Sequence, residues 1–261
     1  MSYFITYKNT AIHFKDIGKG NAIVLLHGFL ENHRMWEDLI PLLQDKYRIV
    51  SIDLLGHGKT ECMGYIHTME LMAETVMAVI KHLKLRRVTL VGHSMGGYVS
   101  LALADVHPDY VKGLVLMNST ARADTPEKQL NRSRAIALVK QNHTAFIRMS
   151  ITNLFRPKNR SLFRNKVNTT KKEALKTPLQ GIVAALEGMK IRPDREVLLH
   201  FSPYKKMMVL GKKDPILDYS SLIAQTQNTE VEVVELPDGH MSHIEDFKLF
   251  SSNLIHFIEN L

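Results

Sequence analysis

Cysteine is almost missing from this chain of 261 residues, with Cys62 the only one. A single thiol forms no intrachain disulfide and builds no thiolate metal cluster, and it agrees with a reducing compartment. No uninterrupted apolar run reaches the roughly 18 residues that a membrane span needs. The opening MSYFITYKNT has neither the basic end nor the apolar stretch of a signal peptide. The expectation is a cytoplasmic protein with no membrane span. Acidic residues are scarce in one place: between Arg122 and Arg195 there are 17 Lys and Arg against 5 Asp and Glu, a local +12, whereas the remainder carries 17 against 21. The formal charge of +8 therefore comes from one middle segment. No recognised nucleic-acid module accompanies it, so no nucleic-acid partner is expected. No internal repeat and no low-complexity tract is present. Hydrophobic residues, 45% of the total, are spread along the chain, which argues against disorder and permits one large core.

Short runs rich in Val, Ile and Leu recur with helical patterns between them, the alternation of a parallel sheet covered on both faces. Strands are expected at Ala22–Leu26, Arg48–Ile52, Val88–Gly92, Gly113–Met117, Lys206–Leu210 and Val231–Leu236. The opening YFITYKNTAIHFKDIG suits a hairpin that adds antiparallel strands at one edge. Met69, Met72, Ala73, Val76, Ile80 and Leu83 fall at helical spacing, as do Phe247, Phe250, Leu254, Phe257 and Leu261. The strand pattern stops after Met117 and resumes near Lys206. The interval reads as basic amphipathic helices, with Leu130, Ile136 and Val139, then Phe146 and Met149, on their apolar faces. An insertion between two sheet strands is the simplest account.

The expected strand VTLVG runs directly into HSMGGYVSLALADVHPDY, so Gly92-His93-Ser94-Met95-Gly96 stands at a strand-to-helix junction. A sharp turn there holds its central residue in a strained backbone conformation, and glycines two places to either side let strand and helix approach closely. Ser94 then projects beside a positive helix N-terminus. This G-x-S-x-G elbow, together with LLHGFLENHRMW, IDLLGHGKT, GKKDPIL and PDGHMSHIED, resembles the α/β-hydrolase superfamily over nearly the whole length. The resemblance implies an α/β fold with a mostly parallel, doubly wound sheet of about eight strands. Residues 1–121 and 196–261 would form the core domain, and 122–195 a helical lid inserted after the sixth strand.

In hydrolases of that superfamily the chain order is nucleophile, acid, histidine, and Ser94, Asp214 and His240 occur in that order. Asp214 follows KMMVLG, which is the acid position the resemblance implies. Asp218 and Asp238 compete for the role, but read better as surface groups or caps. Two histidines, His240 and His243, stand three apart. Gly239 and Glu245 complete the family pattern around His240, whereas His243 falls one helical turn on, near the site entrance or packed against the lid, and is kept as a substrate-binding candidate. A serine hydroxyl needs such a base to take its proton during attack, and a buried carboxylate fixes the tautomer of that base. The backbone N–H groups of Met95 and, by resemblance, Phe29 would hold the oxyanion. His27, His57 and His93 are read as structural.

Serine at the elbow argues against the aspartate-dependent dehalogenases and epoxide hydrolases, and for acyl transfer to water on a small carboxylic ester or related thioester. Neither cofactor nor metal is expected. A triad-dependent lyase similar to the menaquinone-pathway pyruvate-eliminating synthase, a carbon–carbon bond hydrolase, and a ligand receptor on the same scaffold stay open. The basic lid reads either as a solvated helical surface or as a source of cations that favour an anionic acyl substrate. Arg122, Arg132 and Arg134 are the candidates for the second role.

Overall fold

The computed structural model describes residues 1–261. Lys8 and Asn9 both take positive φ, 47° and 64°, and close the tight turn that folds β1 (Ser2–Tyr7) back on β2 (Thr10–Ile17). The hairpin is antiparallel and lies at one edge of an eight-stranded sheet. The other strands are β3 (Ala22–Leu26), β4 (Arg48–Ile52), β5 (Val88–His93), β6 (Val111–Met117), β7 (Lys205–Gly211) and β8 (Glu232–Leu236). Their order across the sheet is β1-β2-β4-β3-β5-β6-β7-β8, and every pairing from β4 to β8 is parallel. The expected α/β class and the mostly parallel sheet are both observed.

The side-chain period of two along a strand splits the core between the two faces of the sheet. Val24, Leu26, Leu90 and Leu114 face one cluster, which also takes Val76 and Ile80 of α1 (Met69–His82) and Leu101 of α2 (Met95–Val106). Ile23, Leu25, Val91 and Val115 face the other, with Phe250, Leu254 and Phe257 of the C-terminal helix. The continuous apolar runs of β3 and β5 are what a strand buried on both faces requires.

Between β6 and β7 the chain forms α3 (Pro126–Gln141), α4 (His143–Leu154), α5 (Arg164–Ala174) and α6 (Leu179–Lys190), together with shorter turns. Thr125 caps α3 by accepting the Lys128 N–H, and Pro126 occupies the first helical position, where a missing N–H leaves nothing unpaired. Gly181 and Gly188, seven apart on α6, let this helix touch the sheet's loops. A Cβ at Gly181 would lie 2.2 Å from the Gly56 carbonyl oxygen, and one at Gly188 would lie 1.7 Å from that of His67. Arg195 closes the segment, reaching Glu70 on α1 at 2.6 Å and Asp105 on α2 at 3.1 Å. The C-terminal helix α7 (Phe247–Glu259) completes the layers.

Candidate active site

β5 delivers Ser94 at φ 49° and ψ −112°, a conformation that costs of order 1–3 kcal/mol for a residue with a side chain. The surroundings hold it there. The Ser94 N–H donates to the Met117 carbonyl at 2.9 Å, and Ser119 Oγ donates to the Ser94 carbonyl at 2.8 Å. A Cβ at Gly92 would sit 2.4 Å from the Gly96 carbonyl oxygen, and one at Gly96 would sit 2.3 Å from that of Leu26, so both positions need a bare Cα. The turn therefore places Ser94 between the end of β5 and the first turn of α2.

Asp214 lies three residues beyond β7, with its side chain shielded from solvent. One oxygen, Oδ1, accepts the N–H groups of Ile216 at 2.8 Å and Leu217 at 3.0 Å. The other, Oδ2, accepts His240 Nδ1 at 2.7 Å and Asn118 Nδ2 at 3.2 Å. Burial opposes the charge, but His240 and the two amides hold the carboxyl below the ordinary carboxylate range. Asn118, at φ 44°, also donates to the Gly239 carbonyl at 3.1 Å, so it links the acid loop to the histidine loop. Asp218 instead caps a short helix by accepting the Ser221 N–H at 2.7 Å, and Asp238 pairs with Arg156 at 2.5 Å. Neither touches His240.

The loop bearing His240 is held by Glu245. This carboxylate accepts the N–H groups of Met241 at 3.2 Å and Arg156 at 2.9 Å and the Asn159 amide at 3.0 Å, tying the loop to the helical insertion. A Cβ at Gly239 would lie 2.7 Å from Glu245 Oε2, so the glycine admits a neighbour rather than supplying a positive φ. Ser94 and His240 open onto one cavity of about 680 Å³, which Phe29 also lines. Met95 is the first residue of α2, where an amide has no partner within the helix.

The remaining histidines have other employment. His27 donates from Nδ1 to the Gly28 carbonyl at 2.8 Å and accepts the Leu54 N–H on Nε2 at 2.9 Å, a neutral ring with both nitrogens used. Burial pushes His57 down to about 3, and its Nδ1 donates to the Leu55 carbonyl. His93 Nδ1 lies 2.7 Å from Glu31 Oε2, and its Nε2 lies 3.0 Å from the His240 carbonyl oxygen. His243 does not line the Ser94 cavity. It is buried against Trp36 and His93, with Nε2 3.6 Å from Glu31, and burial pushes it down to about 4. The short helical turn that begins at Ser242 turns it under the loop instead of toward the opening.

Two of the three candidate arginines also point elsewhere. Arg122 is engaged by both oxygens of Glu196, at 2.5 and 3.0 Å, and Arg134 is exposed beside Asn131. Arg132 does line the cavity, paired with Asp124, which Arg192 also reaches at 2.7 Å. Lys128, which sequence reasoning missed, lines it as well. Lys128, Asn131, Arg132 and Ala135 follow the i, i+3, i+4, i+7 rule and so present one stripe of α3 to the cavity. The stripe was findable: Arg134 lies about 200° around the helix from Arg132, at 100° per residue.

A family model described as alpha/beta hydrolase fold matches residues 21–247. A solved thermophilic esterase from Thermogutta terrifontis, titled as malate-bound, superimposes with a TM-score of 0.92 at 28% identity, over 100% of this chain and 98% of the other. The first curated relatives are longer than the stretch they share with this chain. An uncharacterized hydrolase of Bacillus subtilis is 37% identical over 41% of this chain and 40% of its own length. The dihydrolipoyllysine-residue acetyltransferase component of an acetoin cleaving system from Pseudomonas putida is 29% identical over 92% of this chain and 64% of its own length. No helix is long and apolar enough to cross a membrane.

Proposed function

The chain belongs to the alpha/beta hydrolase fold family, and from that premise we propose that it is a serine hydrolase that cleaves small carboxylic esters through an acyl-enzyme. One observation carries the reading. A strained serine, and a histidine whose far nitrogen is fixed by a buried carboxylate at 2.7 Å, share one cavity.

In this mechanism the neutral His240 takes the Ser94 proton on Nε2 as Oγ attacks the ester carbonyl. The carbonyl π electrons move to oxygen, and the N–H groups of Met95 and Phe29 stabilise the oxyanion. In other serine hydrolases one such donor contributes roughly 3–4 kcal/mol. Collapse of the tetrahedral adduct expels the alcohol, which receives the proton from His240. Water, deprotonated by the same ring, then releases the acid and restores Ser94. Asp214 holds Nδ1 as the donor throughout and stabilises the transient imidazolium.

The helical insertion acts in this reading as a lid that shapes the acyl pocket. Its wall is largely apolar, with Phe146, Met149, Leu186 and Met189, but one end carries Lys128 and Arg132. Two guanidinium groups share the single Asp124 carboxylate, and Lys128 adds a third cation, so that end favours an anionic group on the substrate. The malate held by the Thermogutta esterase is a dianion, which supports the same preference. A panel of aryl esters of increasing acyl length, with and without a terminal carboxylate, tests the proposal beside Ser94→Ala. Hydrolysis should vanish in that variant; activity that survives it refutes the assignment.

A further inference from the structure

We infer that His93 is a positioning residue held as an imidazolium, donating from Nδ1 to Glu31 and from Nε2 to the His240 carbonyl, and that it thereby fixes the loop presenting the base to Ser94. The role of His240 in this inference rests on the hydrolase reading above.

A backbone carbonyl only accepts, so the 3.0 Å contact from Nε2 to the His240 oxygen requires a proton on Nε2. On the other side, Glu31 Oε2 lies 2.7 Å from Nδ1 and also accepts the Gly28 N–H at 3.1 Å. A carboxylate that accepts a main-chain amide is favoured in its ionised form, which leaves the second proton on Nδ1. Both partners are almost fully buried, His93 at 1% and Glu31 at 4% exposure. Burial opposes the charge on His93, but Glu31 outweighs it and raises the imidazolium above the ordinary histidine range. Conversely His93 holds Glu31 down to about 2. The other titratable groups around the pair are His240, His243, Asp214 and, beside Glu31, the buried His27, which burial holds below the ordinary histidine range. The rings of His240 and His243 lie at 5.1 and 5.4 Å from His93, and Asp214 adds a favourable field. His243, which also feels Lys166, is neutral above about 4, so one positive charge faces one negative charge.

The pair is built into three functional pieces at once. His93 precedes Ser94 in the elbow, its Nε2 holds the His240 main chain, and Glu31 belongs to the loop that carries Phe29. A Cβ at Gly28 would lie 2.5 Å from Glu31 Oε2 and 2.6 Å from His93 Nδ1, so the glycine of HGF is where that loop seats on the pair. When His93 loses a proton, the carboxylate retains the Nδ1 hydrogen because a charged acceptor binds it more strongly than a carbonyl does. Nε2 then turns a lone pair on the His240 oxygen, and the latch opens. Hydrolysis should therefore have an alkaline limb set by His93.

Histidine-selective 15N spectra test this, with the His93 signals assigned by their loss in His93→Gln. The wild-type protein should keep the His93 imidazolium through the pH range in which an ordinary histidine loses its proton. Glu31→Gln should lower the His93 titration by roughly 1–3 pH units. The alkaline limb of kcat should shift by the same amount, with about a 10- to 100-fold loss at about pH 8 and little change in KM. A neutral His93 in the wild-type protein near pH 7 overturns the inference, and this reading stands even if Glu31→Gln does not fold. An alkaline limb that stays in place while the His93 titration moves also overturns it. Hydrolysis surviving Ser94→Ala would strike the hydrolase reading and leave the His93 spectrum unmoved, so the two failures are separable.

Discussion

Replacing Asp214 with asparagine changes one atom and should remove almost all turnover. The carboxylate oxygen Oδ1 receives two main-chain N–H groups, from Ile216 and Leu217, and these can only donate. The asparagine carbonyl must therefore take that end, which places its NH2 where Oδ2 now meets His240 Nδ1. Facing a donor, Nδ1 becomes an acceptor and the ring proton moves to Nε2, the nitrogen that receives the Ser94 proton in the proposed mechanism. The same NH2 also confronts Asn118 Nδ2, itself a donor at 3.2 Å. A base in the wrong tautomer reduces kcat by about 10⁴ in comparable triads, or about 5 kcal/mol of barrier. The lost charge on two amides and one imidazole should reduce folding stability by a further 1–3 kcal/mol or so. Initial rates on an aryl ester near pH 8, with a thermal melt to show the variant folded, measure both. Asp238→Asn is the control, because its carboxylate pairs with Arg156 and does not touch His240. An Asp214→Asn protein that is folded and within about tenfold of the wild-type kcat would refute the assignment of the acid.

Three further outcomes follow from the geometry. Lys128→Ala should raise KM for a carboxylate-bearing ester by about 5- to 30-fold, in line with roughly 1–2 kcal/mol for a partly desolvated charge contact, while a neutral ester of equal length is unaffected; equal changes for both would remove the anion preference. Gly96→Ala should destabilise the fold by about 3 kcal/mol or more, lowering Tm by roughly 6 °C or more, because the new methyl meets two main-chain oxygens at 2.3 and 2.7 Å that cannot swing aside; an unchanged melt would contradict the elbow geometry. Glu31 and Asp214 have folded-state values below their unfolded ones, so the stability they add is present above the ordinary carboxylate range and is lost as pH falls, for Glu31 toward about 2; urea midpoints at about pH 6 and about pH 3 should differ less in Glu31→Gln than in the wild-type protein.

Features written in local sequence were legible, and those created by folding were not. The elbow could be read because its glycines, its serine and the flanking strand and helix lie within one short run, and the steric reasons for them act over the same few residues. Asp214 and His240 were reached through chain order, since each loop follows a strand whose apolar pattern is plain. The strand bounds shifted only at their ends, as where β6 begins at Val111 and β8 at Glu232. Which lid cations face the cavity is not written in the sequence, because the direction of a side chain depends on partners far along the chain. Arg122 is drawn away by Glu196, 74 residues on, and Lys128 was passed over although it shares a helical face with Arg132. For His243 the sequence leaves two positions open, near the entrance or packed against the lid, and the turn beginning at Ser242 carries it inward to Trp36. Asn118 and the Glu31–His93 pair have no local signal at all: their partners are separated by 96, 121 and 62 residues.

The central claim is that His240, held by Asp214, makes Ser94 the nucleophile, and covalent capture tests it most directly. An aryl fluorophosphonate should form one stable adduct, which peptide mass spectrometry should locate on Ser94 in the wild-type protein, with none on His240→Ala under the same exposure. A protein that hydrolyses aryl esters yet stays unlabelled, or carries the adduct on another residue, would contradict the account.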